Sequence, residues 1–449
     1  MNIYRILIVV VLLNIYNSVF CKSWTLNECI EHALSNNLNV LSDSIETKNV
    51  SLERSSMMLN YVPVLSLSNN FSSSTGRTLD ETTYQYNNKS LFYNSTNLSI
   101  TLPLNNVVRN IFDIKKQNSV QLVSEKESLI KKVALKQEIS ATYFEILYII
   151  EDIANVTALI DMVKIKEEYS QKRVDAKKDA ISEFLLIKSQ RTQLEESLLS
   201  LNKELENNIF HLCKLININD PDFTIDKPDI QLPKQIDTRH IEKKLLLNVL
   251  KMPEAVIADA TIDQAVLEKR IFNLTYLPSI SLTYSYGSSF SSARQRLIMD
   301  ENGIPSYGSY SFGNQYKDNA SGIFAISITL PINSYIDTKK KKIYQNKVHL
   351  AKINQDIVIN NITENMHKLV LELDVSFKKY LIALDNYNCL NEILAEATYK
   401  YEAGKYDSFE FTSVLKNQRE ASNSLLKAKY NYVYCEYSIQ ILKELLDIR

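Results

Sequence analysis

Two periods alternate along the chain, and they alternate in the same order twice. From Tyr276, the positions Tyr276, Pro278, Ile280, Leu282, Tyr284 and Tyr286 interleave with Leu277, Ser279, Ser281, Thr283, Ser285 and Gly287. Leu98, Ile100 and Leu102 interleave with Asn97, Ser99 and Thr101, and Phe324, Ile326, Ile328 and Leu330 with Ala325, Ser327 and Thr329. This is a period of two with one apolar, aromatic side and one small, polar side, which a membrane-facing β-strand requires. It predicts one β-hairpin over 61–103 and another over 276–331. Their loops are expected to be polar and flexible: TGRTLDETTYQYNNK (75–89) and the longer SARQRLIMDENGIPSYGSYSFGNQYKDN (292–319).

Elsewhere the period lengthens. Ile139, Tyr143, Ile146, Ile150, Ile153, Thr157 and Ile160 step by fours and threes, as do Val414, Gln418, Ala421, Leu425, Ala428, Tyr432, Cys435 and Ile439. These seams predict long helices packed lengthwise, as in coiled coils. Glycine and proline usage agrees. Neither occurs between Leu104 and Asp220, and Gly404 is the one glycine or proline between Ile332 and Arg449. Such stretches suit helices and not loop-rich enzymes. A helix from Asn106 to about Val174 would run roughly 100 Å, with a partner from about Ile181 to Leu215. Thr25–Glu28 (TLNE) reads as a capping box that opens a first helix. Gly404, followed by Asp407 and Glu410, reads as a helix stop, a tight turn and a fresh N-cap. The first half turns near Lys177–Asp179 without a glycine.

The halves are copies in plan. YVPVLSLS from Tyr61 matches YLPSISLT from Tyr276, ITLPL (100–104) matches ITLPI (328–332), and Ala176 aligns with Ala403. Internal duplication is the reading. The first repeat covers 22–235: a helix, the hairpin 61–103, a helical hairpin 104–217 and a proline-containing linker 218–235. The second covers 236–449: a helix, the hairpin 276–331 and a helical hairpin 332–447. Pro63 and Pro278 mark the strand starts. Pro103 and Pro331 mark the strand-to-helix transitions, where proline ends ladder pairing and pre-sets φ for a helix.

Composition narrows the class. Residues 1–21 read as a signal peptide, with Arg5 as the positive region and Ile6–Leu13 as an apolar core too short to span a bilayer. Cleavage is expected near Cys21. Lipidation of Cys21 is opposed by Phe20, which stands where the lipoprotein peptidase takes a small side chain. No later run of 18 apolar residues predicts a membrane helix. The formal net charge is −1, so nothing points to a nucleic-acid partner. The five cysteines show neither a CxxC pair nor metal spacing and read as small buried apolar residues, with a Cys29–Cys213 disulfide left open. No GxSxG, GxGxxG or HExxH occurs. Gly303 and Gly308 have phosphate-loop spacing, but Ser309 follows where lysine is required. His32 reads as a surface or packing residue, and Lys339–Lys342 as a solvated helix face. No catalytic, cofactor or metal site is expected.

Four strands leave a physical problem. In lipid every backbone N–H and C=O must be paired, so a sheet must close, and about eight strands is the practical minimum for closure around a pore. The barrel must then be shared between copies, eight strands from two or twelve from three. Periodicity does not choose between them.

The order signal, helix, hairpin, long helical hairpin, repeated once, resembles the TolC family of outer-membrane efflux proteins. The similarity rests on WTLNECIEHALSNNLNV (24–40), the two strand starts, ITLPL and ITLPI, and KYEAGKYDSFEFTSVLKNQ (400–418), and it covers the whole chain beyond the signal. The opening WTLNECI resembles that of Bacteroidetes-type members. The resemblance implies an α+β membrane fold, in which long coiled-coil helices form a periplasmic α-barrel and four strands per chain contribute to a 12-stranded outer-membrane barrel in a homotrimer. It also implies a gated passive conduit of a tripartite export system, with a periplasmic adaptor (membrane fusion) protein and an inner-membrane transporter of the resistance–nodulation–division (RND) or ABC type as partners.

At the periplasmic end the resemblance makes Glu410 the main acidic lumen position and Glu183 its first-half counterpart. Ser413 stands where a second acid is common, and Tyr406 where a basic residue is. Tyr401 is the counterpart of a tyrosine hydrogen-bonded toward the first-half acid, here Glu183. Gate candidates are thus Glu410, Glu183, Tyr401, Asp407 and Gly404. A capping box formed by Asp407 and Glu410 is a second role for the same acid. Type I protein secretion and a non-channel exported coiled-coil scaffold or adhesin remain as alternatives.

Overall fold

The computed structural model describes residues 23–79, 84–88, 90–219, 223–228, 232–233, 235–299, 301, 303–332 and 338–448. The expected signal peptide, Arg5 and Cys21 lie outside the described residues, as do parts of the 218–235 linker. The chain forms two compact units that each draw on both sequence repeats. One comprises 1–47, 125–257 and 355–449, and the other 48–124 and 258–354.

The second unit holds the four-stranded sheet. β2 (Val64–Ser74) pairs antiparallel with β5 (Leu91–Pro103), β5 with β7 (Ser279–Ser291), and β7 with β10 (Ser321–Thr329). The sheet order is therefore β10-β7-β5-β2, with β10 and β2 as edges. The register stacks like on like. Leu65, Ile100, Tyr284 and Phe324 form one row across the sheet, and Leu67, Leu98 and Tyr286 the next. The apolar side is left exposed: Leu67 is 72% and Ile328 67% exposed.

The expected flexible loops are instead ordered in part. β3 (Arg77–Leu79) and β4 (Tyr86–Asn88) form one two-stranded ribbon, and β8 (Gln295–Met299) and β9 (Pro305–Ser309) another. Short alternating runs such as Leu297 and Met299 against Tyr307 suffice for pairing once the parent strands hold the ends together. Between β9 and β10 lies a short helix, α7 (Phe312–Asp318).

The first strand-to-helix transition falls where its proline stands. β5 ends at Pro103 and α3 begins at Leu104. Asn105, in the first turn of α3, donates to the Pro278 carbonyl (2.8 Å) and accepts from the Ile280 amide (2.6 Å), tying that turn to the start of β7. In the second copy β10 ends at Thr329, Pro331 follows, and α8 is described from Thr338 to Glu402. Residues 333–337 lie outside the described residues. Lys339–Lys342 are exposed on α8, as expected.

The first unit is helical. α1 (Leu26–Asn36) opens with the Thr25–Glu28 capping box, both bonds present. α2 (Leu38–Met57) starts where the Asn37 side chain accepts from the Asn39 and Val40 amides. α3 (Leu104–Asp175) has 72 residues, roughly 110 Å of helix, and returns as α4 (Ile181–Ile216). In the second half α5 (Thr238–Leu246) and α6 (Pro253–Leu274) precede the sheet, and α8 returns as α9 (Ser408–Leu445). The linker turns back so that β6 (Thr224–Ile225) pairs parallel with β1 (Ser23–Trp24). The Tyr143 hydroxyl donates to the Asp226 and Trp24 carbonyls, and Trp24 stacks on Phe223. His32 packs edge-on to Trp24 and bonds the Ile216 carbonyl at 3.0 Å, a packing residue. Cys29, Cys213 and Cys435 are buried, as expected, whereas Cys389 is exposed.

The α3 seam differs from the strict four-three stepping. Ile139, Tyr143, Ile146 and Ile160 are buried, but Ile150 is 39% exposed and Thr157 is exposed. The buried line runs instead through Ile149, Asp152, Val156, Ile160 and Val163. Ile149, Val156 and Val163 keep a heptad spacing, and from Ile149 to Val156 this line lies one residue earlier on the helix than the line read from sequence. That offset carries a carboxylate inside. Asp152 has no exposed surface; both its oxygens accept from the Arg419 guanidinium of α9 at 2.7 Å, and Asn423 donates to it at 3.1 Å and to Tyr148 at 2.8 Å. Nearby, Lys227 and Lys429 both reach Glu151. Burial alone would raise the Glu151 pKa, and the two ammonium groups outweigh it and hold the carboxyl below the usual range.

Candidate functional site

The two helical turns at 175–181 and 402–408 are built alike. In the first, Lys177 adopts the left-handed conformation (φ 56°), its amide donates to the Val174 carbonyl and the Lys178 amide to that of Arg173, both at 2.9 Å. In the second, Gly404 (φ 69°) takes the same place; its amide donates to Tyr401 at 3.0 Å and the Lys405 amide to Lys400 at 2.8 Å. Each is a Schellman motif, and the paired bonds satisfy carbonyls that the helix end leaves open. Glycine carries the left-handed φ without strain, whereas Lys177 has no such freedom. The first turn is the less legible in sequence for that reason.

The helices that follow start differently. α9 begins with a complete capping box: Asp407 accepts from the Glu410 amide (2.7 Å), and Glu410 accepts from the Asp407 amide (3.1 Å). α4 begins at Ala180, which has no side chain to cap with. Glu183 occupies the position in α4 that Glu410 occupies in α9. Its carboxylate crosses to the other hairpin and accepts the Ser408 amide at 2.7 Å. The N-terminal amides of α9 thus meet carboxylates from both helical hairpins, where the helix dipole favours negative charge.

Two more links cross between the hairpins. Lys166, whose side chain is almost fully buried, pairs with Glu402, and the Tyr169 hydroxyl donates to the Glu402 carbonyl at 3.0 Å. Arg173 binds both oxygens of Asp179 and reaches the Tyr169 hydroxyl at 3.4 Å. Those bonds hold the Asp179 carboxyl below its usual pKa and raise that of the guanidinium.

Tyr401 does not meet Glu183 directly. It is buried, stacked on Phe411 (4.9 Å between ring centroids) and edge-on to Tyr169, and its hydroxyl lies 3.4 Å from the Ser408 hydroxyl. Ser408 stands between them, its amide bound to Glu183 and its hydroxyl near Tyr401. The expected tyrosine–acid contact becomes a relay through that serine because Tyr401 is drawn into the aromatic core of the turn. Tyr406 packs under the Lys400 ammonium at 5.1 Å.

The sequence-expected residues Glu183, Tyr401, Gly404, Asp407 and Glu410 therefore meet in one cleft of about 480 Å³, with Arg173, Lys178, Asp179, Lys405 and Tyr406 in the same wall. Sequence reading missed Lys166, Tyr169, Glu402 and Ser408. The position of Lys166 and Tyr169, eleven and eight residues before Lys177 and facing Glu402, needed the hairpin pairing to be seen. The cleft combines carboxylates and ammonium groups with no nucleophile–base pair, and among the described residues no cluster of His, Cys, Asp and Glu could hold a metal ion.

No family model matches the sequence, and no curated protein matches it by sequence. Solved structures do match in shape. The CmeC outer membrane channel of Campylobacter jejuni superposes with a TM-score of 0.73 at 15% identity, over 93% of this chain and 85% of that one. The outer membrane protein VceC of Vibrio cholerae gives 0.72 at 13% identity, over 94% and 95%. The MtrE outer membrane channel of Neisseria gonorrhoeae, in its open state, gives 0.67 at 18% identity, over 94% and 88%. The chain has the TolC-like fold.

Proposed function

We propose that this chain is the outer-membrane conduit of a tripartite export system and works as a homotrimer gated at the helical turns. The observation that carries the reading is the sheet. Its apolar side is exposed, yet both edges, β2 and β10, lack a neighbour among the described strands. In lipid such edges must be closed, and four strands cannot close on themselves. Of the two closures that arithmetic allows, likeness to the TolC-like fold favours three copies and twelve strands. α8 supports a helical partner from another copy, because it leaves Ile343, Leu350, Ile357 and Leu371 exposed at heptad intervals.

On this reading the strand unit sits in the outer membrane and the helices line a periplasmic passage. A periplasmic adaptor and an inner-membrane RND or ABC transporter supply cargo and energy, and the chain itself does no chemistry. The likeness to the outer membrane channels CmeC and MtrE supports a channel over a non-channel scaffold.

Glu410 then has two roles. It completes the α9 cap, and three copies around a narrow axis concentrate negative potential that draws cations. Planar-bilayer recording tests both levels. The purified protein should form cation-selective channels blocked by trivalent cations, and Glu410→Ala should weaken the block on the order of tenfold. Absence of any conductance would remove the conduit reading; conductance with unchanged block would retire Glu410 as a gate residue alone.

A further inference from the structure

The outward side of the sheet is not uniformly apolar. Read up the strands in register, the rows are Ile280 with Ile328, then Leu102, Leu282 and Ile326, then the two rows headed by Leu65 and Leu67. The next row is polar: Asn69, Thr96 and Ser288. Above it come Phe71, Asn94 and Phe290, followed by Phe92.

Length decides where these rows fall in a bilayer. From Ile280 to Tyr286 the strand rises roughly 20 Å, or about 15 Å of height at barrel tilt, short of the ~25 Å apolar band. From Ile280 to Phe290 it rises roughly 33 Å, or about 25 Å of height. The aromatic row therefore fits the upper boundary, where aromatic residues gather. The polar row lies inside the band, where unpaired groups are costly.

α7 covers it. The Tyr316 hydroxyl bonds Thr96 at 2.9 Å and also donates to Asn94 Oδ1, and Ser288 donates to the Tyr316 carbonyl at 2.6 Å. Asn94 in turn donates to Asn69 at 2.6 Å and is almost fully buried. Gln315, also buried, is pinned to both the amide and the carbonyl of Ser291, and Asn319 to the Ser289 carbonyl. Phe312 stacks on Tyr316 (4.4 Å) and lies 5.1 Å from Phe290, extending the row that runs through Phe92 and Phe71, and it is half exposed.

We propose that α7 is a lipid-facing shield. It folds back onto the outer side of the sheet, roofs the polar row, and presents Phe312 to the headgroup–acyl boundary of the outer leaflet. The partner is the lipid surface, and the inference rests on the membrane reading above.

Tryptophan placement separates the two. Trp24 is the one native tryptophan and lies outside the strand unit. Phe312→Trp and Ile326→Trp variants, both at exposed positions, are reconstituted in phosphatidylcholine vesicles brominated either near the headgroup or deep in the acyl chain. Trp24 alone should show no quenching. Ile326→Trp should lose more emission to the deep bromines, and Phe312→Trp more to the shallow ones. Quenching at Ile326 without any at Phe312 would overturn the shield and keep the membrane reading; quenching at neither would overturn both.

Discussion

Replacing Asp152 by alanine is expected to lower the unfolding free energy by about 3 kcal/mol. The aspartate has no solvent-exposed surface, and its two oxygens hold the Arg419 guanidinium in a two-pronged pair supported by Asn423. Without it, Arg419, whose side chain is only 15% exposed, keeps its charge between α3 and α9 with no counter-ion. Removing one member of a buried pair is far worse than removing both, so Asp152→Leu with Arg419→Met should recover most of the loss. The pair also fixes register, since sliding α9 one turn along α3 would separate it and part Asn155 from Ser422 as well. Urea unfolding in detergent, followed by far-UV circular dichroism, measures the effect. An alanine variant with the parent midpoint would show that the pair contributes nothing.

The second large effect is expected at the turns. Three bonds join the hairpins there: Lys166 to Glu402, Tyr169 to the Glu402 carbonyl, and Glu183 to the Ser408 amide. Any opening that swings one hairpin away from the other must break all three. Charge-assisted and neutral hydrogen bonds of this kind amount together to roughly 3 kcal/mol, or about 100-fold in a closed-to-open ratio. A Lys166→Met, Tyr169→Phe, Glu183→Ala variant should therefore conduct much more in planar bilayers than the parent. The Asp407–Glu410 cap is untouched by these changes, so α9 should still start in place. Parent-like conductance would mean that the clasp does not restrain the passage.

Most of the fold was legible because two periods carry it. Alternation at Ile280, Leu282, Tyr284 and Tyr286 announced strands with one apolar side, and the absence of glycine and proline beyond Leu104 announced α3. Gly404, Asp407 and Glu410 announced the second turn and its cap. What stayed hidden depends on tertiary partners. Asp152 reads as a solvated charge until the one-residue offset of the packed seam is seen and Arg419 is found across the interface. Lys177 gives no sign of a left-handed turn, since lysine has no preference for that conformation. The Glu183 bond is invisible because its acceptor role is toward a backbone amide 225 positions away. The β3–β4 and β8–β9 ribbons, and the covering of the polar row by Tyr316, likewise follow from segments that the long strands hold side by side.

The strand edges decide the whole account. The copy number of the assembly extracted intact from outer membranes, read from its mass under native conditions, measures whether they are closed by other copies. Three chains per particle, falling to single chains only on heating in detergent, is the result expected of twelve shared strands. A single chain, recovered with the soluble periplasmic fraction, would contradict it.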